Sequence, residues 1–226
     1  MSKQETARLL PFTNIGVLES TLPEDVFQLL KTSIDNLTED AETYNTRLVG
    51  HIREEYSLDH INDKLSGYII GVANAWSAAH PGYIAGFEEA HKNNNNYELQ
   101  LTSLWVNKQK KYEFNPLHTH PSVLSFVIWI KIPYRLEDEI NYFPRLSGKD
   151  SDRGNVHTSK FCFVYVDTLG TIKQVPIPID SSYEGTIMMF PSMLNHIVYP
   201  FYTSDEYRIS VSGNIRINVL EKSKEV

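Results

Sequence analysis

The sequence predicts a mainly β protein with N-terminal helices, its β portion a barrel or double-sheet jelly roll. Apolar residues recur at spacings of three and four through the first third of the 226-residue chain. From about residue 97 the pattern changes to period two, in runs rich in Val, Ile, Tyr, Phe and Trp separated by Gly, Pro, Asn and Asp. Between the two regimes stands HKNNNN, residues 91–96, where asparagine amides compete with the backbone ladder and favour an exposed loop.

The helices come first. TLPEDVFQLLKTSIDNL offers Thr21 as N-cap, Pro23 near the first turn, Glu24 and Asp25 where the helix dipole favours acids, and Val26, Leu29, Leu30 and Ile34 on one face. A second helix is expected from about Ser57, because Leu58, Ile61, Leu65, Ile69, Val72 and Trp76 form one apolar stripe that ends before His80-Pro81-Gly82. The strand regime then runs through YELQLTSLWVN, SFVIWIKIPY, KFCFVYVD, IKQVPIPI, GTIMMFPS, HIVYPFY and YRISVSGNIRINV. SGKDSDRGN, residues 147–155, reads as a solvated connection or a lid. The expected organisation is a single domain over 1–226, with a helical support region at 1–92 and a β core at 97–220.

Composition bounds the function. Forty-one per cent hydrophobic residues supply a substantial core, and no apolar stretch of about 18 residues suggests a membrane span. The N-terminus lacks the apolar core of a secretory signal, and the single Cys162 rules out an intramolecular disulfide, so a cytoplasmic setting is expected. A net charge of −7 without a basic run disfavours nucleic acid as a partner. An exposed edge strand or the VFQLL helix is a candidate dimer surface.

The chemistry-bearing residues are histidines and one arginine. In a strand, side chains two apart share a face, so His118 and His120 of NPLHTHPSVLSF can both present imidazoles to the mouth of a barrel. His196 of FPSMLNHIVYPF starts another strand and offers a third nitrogen, and neutral imidazoles suit a first-row metal. Taken singly, His51, His60, His80, His91 and His157 read as hydrogen-bonded packing residues. Twelve residues after His196 comes Arg208, which shares a strand face with Ser210 and Ser212. On an inner face its guanidinium needs an anionic partner, best a bidentate carboxylate, and no acidic residue alternates opposite it. On an outer face it would pair with Glu206 or water.

The order H-x-H, GTIMMFPSMLNH and R-x-S resembles the double-stranded β-helix core, a cupin-like jelly roll, of the Fe(II)/2-oxoglutarate-dependent oxygenases. ELQLTSLWVN, NPLHTHPSVLSFVIWIKIP and FPSMLNHIVYPFYTSDEYRISVSGNI resemble more narrowly a group of such oxygenases from marine phages and bacteria, over roughly residues 98–217. The resemblance implies Fe(II), 2-oxoglutarate and O2 as cofactor and cosubstrates, with decarboxylation to succinate coupled to oxidation, as in a hydroxylase, of an unidentified substrate. His118 matches the first metal histidine and His196 the distal one. Arg208 matches the residue that pairs with the C5 carboxylate of 2-oxoglutarate, and Ser210 the hydroxyl that assists it. Trp105, Asn107, Ser125 and Trp129 are candidates for the cosubstrate pocket.

The departure is His120, where most members carry Asp or Glu. Three readings stay open: His120 is a third ligand, as in three-histidine thiol dioxygenases; it stands aside; or it is the first ligand and Ser122 takes the normally acidic position. Two other functions compete with the leading one, a non-catalytic jelly-roll binding module and a three-histidine iron dioxygenase that does not use 2-oxoglutarate.

Overall fold

A computed structural model describes residues 15–38, 40–58, 62–88, 90, 96–142 and 157–220. His60, His91 and the 147–155 connection lie outside the described residues. The chain runs β1 (Leu18–Thr21), α1 (Glu24–Asp35), β2 (Glu54–Ser57), α2 (Asp63–Ala79), α3 (Pro81–Ala85), β3 (Tyr97–Gln109), β4 (Asn115–His118) and β5 (Leu124–Lys131). It continues through α4 (Leu136–Tyr142), β6 (Phe161–Val166), β7 (Ile172–Ile177), β8 (Thr186–Pro191), β9 (Asn195–Val198) and β10 (Arg208–Val219).

The strands form two antiparallel sheets, ordered β1-β8-β5-β10-β3-β2 and β4-β9-β6-β7. Facing sheets joined in this way make a jelly roll. Its interior is packed by Val127 and Trp129 of β5, Met188 and Phe190 of β8, and Phe161 and Phe163 of β6. The outer face of the six-stranded sheet is covered by α1 and α2, through Val26, Leu30, Ile34, Ile69, Val72 and Trp76. Strand β5 is therefore buried on both faces, which is why its Leu124–Ile130 run shows no polar alternation. The apolar face of VFQLL packs inward: Val26 and Leu30 are buried, and Phe27 and Leu29 pack against the same core.

Two sequence expectations are corrected. Thr21 does not cap α1; it pairs with Thr186 at the end of β1, and Pro23 holds the N-cap position. The second helix does not begin near Ser57. Residues 54–57 pair with β3, and the Leu58 N–H donates to the Leu104 carbonyl at 2.9 Å, so the chain is still extended there. The helix starts at Asp63, capped by the Asn62 side chain, which accepts from the Lys64 N–H at 2.8 Å. The segment before residue 92 thus supplies both edge strands of the large sheet as well as its helical cover.

Packing of the large sheet is tightest at Gly213 in β10, where an added Cβ would meet the Ser103 carbonyl oxygen at 2.5 Å and Phe126 Cζ at 2.6 Å. Gly213→Ala is expected to destabilise the fold by about 1–3 kcal/mol through overpacking, read as a lower midpoint in urea unfolding.

Candidate metal centre

His118 and His196 are direct cross-strand partners of β4 and β9, so their imidazoles share a face. Each ring is aimed by the same local device. His118 Nδ1 lies 2.6 Å from the Pro116 carbonyl and His196 Nδ1 lies 2.9 Å from the Leu194 carbonyl. A carbonyl only accepts, so Nδ1 carries the proton in both and Nε2 keeps its lone pair.

His120 arrives differently from the strand alternation expected. Strand β4 ends at His118, and His120 sits in the following turn, where its backbone N–H donates to the Ser192 carbonyl at 2.9 Å. That bond ties the turn to the loop preceding β9. Ring centroids stand 4.1 Å apart for His118–His196, 5.1 Å for His118–His120 and 5.2 Å for His120–His196. One ring nitrogen from each comes within 4.8 Å of the other two. Ser122 takes no part, since its hydroxyl donates to the Ile215 carbonyl at 2.5 Å.

Burial is the first cause that keeps these rings neutral. It lowers His118, lowers His120 to about 4 with a contribution from His118, and holds His196 well below the ordinary imidazole range. Neutral imidazoles with free lone pairs are the ligand form, and the set fits a borderline first-row cation such as Fe(II).

The histidines line one cavity with Arg208, Gln109, Asn107 and Ser210. Strand register builds its wall in rows: Trp105, Ser212 and Val127; then Asn107, Ser210 and Trp129; then Gln109 and Arg208. Trp105 and Trp129 both line it. Leu48, Val49 and Ile52 cover it. This roof is fastened by Asn45 Nδ2, which donates to the Ile52 carbonyl at 2.8 Å and to Glu55 Oε2 at 3.2 Å, and by the His51 N–H on the Phe114 carbonyl at 2.9 Å. Tyr44 stacks on Trp105 at 5.1 Å, and Trp105 in turn meets the His120 ring at 5.7 Å.

Arg208 is 3% exposed, so the outward-facing reading fails, and Glu206 pairs instead with Lys131. All five guanidinium N–H groups reach neutral acceptors. Nε and Nη2 donate to Gln109 Oε1 at 3.0 and 2.6 Å, Nη1 to Tyr134 Oη and the Ser159 carbonyl at 2.8 Å each, and Nη2 also to the Tyr199 carbonyl at 2.8 Å. The nearest linked carboxylate is one residue removed: the Ser159 hydroxyl donates to Glu139 Oε2 at 2.6 Å. Glu139 is fully buried and also accepts the N–H groups of Tyr202 and Thr203. Sequence reasoning missed Gln109, Tyr134, Ser159 and Glu139. Only Gln109, directly opposite Arg208, becomes readable once the β3–β10 register is known.

Ser125, expected in the pocket, is elsewhere: its hydroxyl is hydrogen-bonded to Ser192 Oγ at 2.9 Å and Asn214 Oδ1 at 2.8 Å, and it does not line the cavity. Asn107 does line it, donating through Nδ2 to the Ser210 and Ser212 hydroxyls at 3.3 and 3.4 Å while its buried Oδ1 has no partner. Such an unsatisfied acceptor beside the histidines marks a polar cradle. His80 is the packing residue expected, stacked on Trp76 at 4.3 Å and accepting from the Gly16 N–H at 3.2 Å.

The family described as "Putative 2OG-Fe(II) oxygenase" matches residues 103–214. Among solved structures the chain is similar to a Pseudomonas putida prolyl-4-hydroxylase, at 14% identity over 89% of this chain and 92% of that one, with a TM-score of 0.49. It is similar also to a Trichoplax adhaerens prolyl hydroxylase in complex with a hypoxia inducible factor peptide fragment, at 12% identity over 90% and 83% with a TM-score of 0.49. A third is the viral collagen prolyl hydroxylase of Paramecium Bursaria Chlorella virus-1, at 10% identity over 90% and 96% with a TM-score of 0.41. No curated protein sequence matches the chain. Among the described residues no helix is long and apolar enough to cross a membrane.

Beside Asn107, directly opposite it on β2, Glu55 is 2% exposed with Oε1 unpartnered. Burial, with a smaller push from Glu113, raises its carboxyl from 4.5 to about 7. The folded state therefore holds this proton more tightly than the unfolded chain, and the group's contribution is full below pH 4.5 and declines as pH rises through 7. Between pH 5 and pH 8 the wild type should lose about 2–3 kcal/mol of stability from this group, and Glu55→Gln should flatten that decline in urea unfolding at the two pH values. Parallel pH slopes in the two proteins would show that Glu55 titrates normally.

Proposed function

Because the chain belongs to the 2OG-Fe(II) oxygenase family, we propose that it couples the oxidative decarboxylation of 2-oxoglutarate to hydroxylation of a substrate, at a centre held by His118, His120 and His196. The observation that carries this is the convergence of three neutral imidazoles within 4.8 Å at one end of a cavity that also contains a buried arginine. Family members are enzymes that use Fe(II), 2-oxoglutarate and O2. Bound iron supplies the oxidising chemistry that 2-oxoglutarate and O2 make possible together.

The chain's own residues bind, orient and exclude water. The Nδ1–H bonds of His118 and His196 hold each Nε2 toward the metal position, and burial keeps all three rings deprotonated there. Arg208 anchors the distal carboxylate of 2-oxoglutarate, assisted by the half-buried Ser210 hydroxyl in the adjoining row. Asn107 and Trp129 flank Ser210 across the strands and shape the same pocket, whereas Ser125 acts away from it in the Ser192–Asn214 network. Leu48, Val49 and Ile52 shield the cavity from bulk water, which strengthens the electrostatic contacts inside.

His120 as third ligand leaves the protein contributing no negative charge to the metal. Such a site retains a divalent cation less tightly than one with a carboxylate, and it attracts the dianionic cosubstrate more strongly. A three-histidine dioxygenase that bypasses 2-oxoglutarate would share the ligand set, and product analysis separates the two.

Anaerobic Fe(II) titration should produce a weak visible charge-transfer band only when 2-oxoglutarate is added, and aerobic turnover should release succinate. Arg208→Ala should abolish the band while leaving Fe(II) binding intact. Absence of both band and succinate in the wild type, with iron bound, would sink the cosubstrate assignment, and O2 uptake without succinate would transfer it to the three-histidine dioxygenase. His120→Ala should weaken Fe(II) binding at least about tenfold, a loss of roughly 1.4 kcal/mol or more, in the same titration. Unchanged affinity in that variant would show that His120 stands aside.

A further inference from the structure

Arg208 carries the distal-carboxylate role in the proposed function, yet none of its five N–H groups is free. The acceptors are not equivalent. The carbonyls of Ser159 and Tyr199 belong to a backbone locked on its other side, with the Ser159 N–H on the Pro200 carbonyl at 3.1 Å and the Tyr199 N–H on the Lys160 carbonyl at 3.0 Å. Tyr134 is held by donating to the Ser159 carbonyl at 2.9 Å and by stacking on Phe201 at 5.2 Å. Gln109 alone is a flexible side chain, anchored through Nε2 to the Glu113 carbonyl at 2.5 Å. It is also the one acceptor of the four that lines the cavity shared with Arg208 and the histidines.

Gln109 Oε1 takes Nε–H and Nη2–H together, the edge of a guanidinium that a carboxylate engages with two parallel bonds. We propose that Gln109 is a specificity-determining placeholder, whose amide oxygen covers this edge of Arg208 and yields it only to a ligand bearing a distal carboxylate. The inference rests on the 2-oxoglutarate reading above. A charged acceptor makes stronger bonds to the guanidinium than an amide does, so the exchange favours the dicarboxylate. A metal-chelating acid without a carboxylate beyond its chelating group gains nothing by displacing Gln109, because that would strand a buried cation. The amide thereby keeps Arg208 satisfied in the empty site and sets the selectivity of the filled one.

The test is isothermal titration of Mn(II)-loaded protein with N-oxalylglycine, a dicarboxylate analogue of 2-oxoglutarate, and with oxalate, which chelates the metal but does not reach Arg208. Gln109→Met removes the competing acceptor and should tighten N-oxalylglycine about three- to tenfold, while Gln109→Glu supplies a permanent internal carboxylate and should weaken it about thirtyfold or more. Oxalate affinity should stay within about twofold of wild type in both variants. Thermal melting of each ligand-free variant reports folding, and the near-isosteric Gln109→Glu suffices if Gln109→Met does not fold. Equal changes for both ligands, or no change for N-oxalylglycine, would overturn the placeholder role. Failure of N-oxalylglycine to bind wild-type Mn(II) protein that binds oxalate removes the 2-oxoglutarate reading itself, a result distinct from any effect at Gln109.

Discussion

A full positive charge buried beside the interior of the jelly roll is the constraint around which this site is arranged. Arg208 has no carboxylate within ion-pair distance among the described residues, and an unpaired buried cation costs several kcal/mol. Its stability therefore depends on how well neutral dipoles surround it. Those dipoles come from β3 through Gln109, from the segment after β5 through Tyr134, and from backbone just before β6 and just after β9. The guanidinium so draws both sheets together at one end. Ser159, with a positive φ of 64°, turns its carbonyl to Arg208 and its hydroxyl to Glu139, so the Glu139 carboxyl group lies one hydrogen-bonded residue away.

That arrangement explains how much could be read in advance. The strands β3 and β5–β10 are visible as strand-type runs separated by turn residues, and His118, His120, His196 and Arg208 stand out by type and spacing. What failed was information carried by long-range pairing. Leu58 falls in helical phase with Leu65 and Ile69, yet its N–H is taken by Leu104 of a strand nearly fifty residues on. Thr21 has the chemistry of an N-cap but is paired in β1 with Thr186. Ser125, a candidate for the cosubstrate pocket, shares a face of β5 with Val127 and Trp129 but sits at a different height. It lies opposite Asn214, four residues along β10 from Ser210, where its hydroxyl bonds to other side chains. Glu139 reads as one acid among several in LEDEI, and nothing local distinguishes it from a solvated residue.

His120 shows a different kind of limit. The H-x-H spacing suggested two rings on one strand, whereas β4 stops at the first and a turn delivers the second. The turn is pinned by backbone hydrogen bonds to Ser192 and by the Ser122 hydroxyl on Ile215, so its geometry is fixed by the large sheet and by the loop before β9. A side chain held this way is positioned by the two sheets jointly, and its ring is then steadied by Trp105.

The roof over the cavity hangs from β2, and β2 is the outermost strand of the large sheet. Its span from Asn45 to Ile52 belongs to a connection between α1 and an edge, with no central strand of the sheet inside it. Changes of length or composition in that connection should disturb the strands that carry His118, His196 and Arg208 less than changes within those strands would, because surface connections tolerate insertion far better than the elements they join. The cavity is thus assembled from two separable parts, strands that carry the histidines and Arg208 and a peripheral connection that completes its lining.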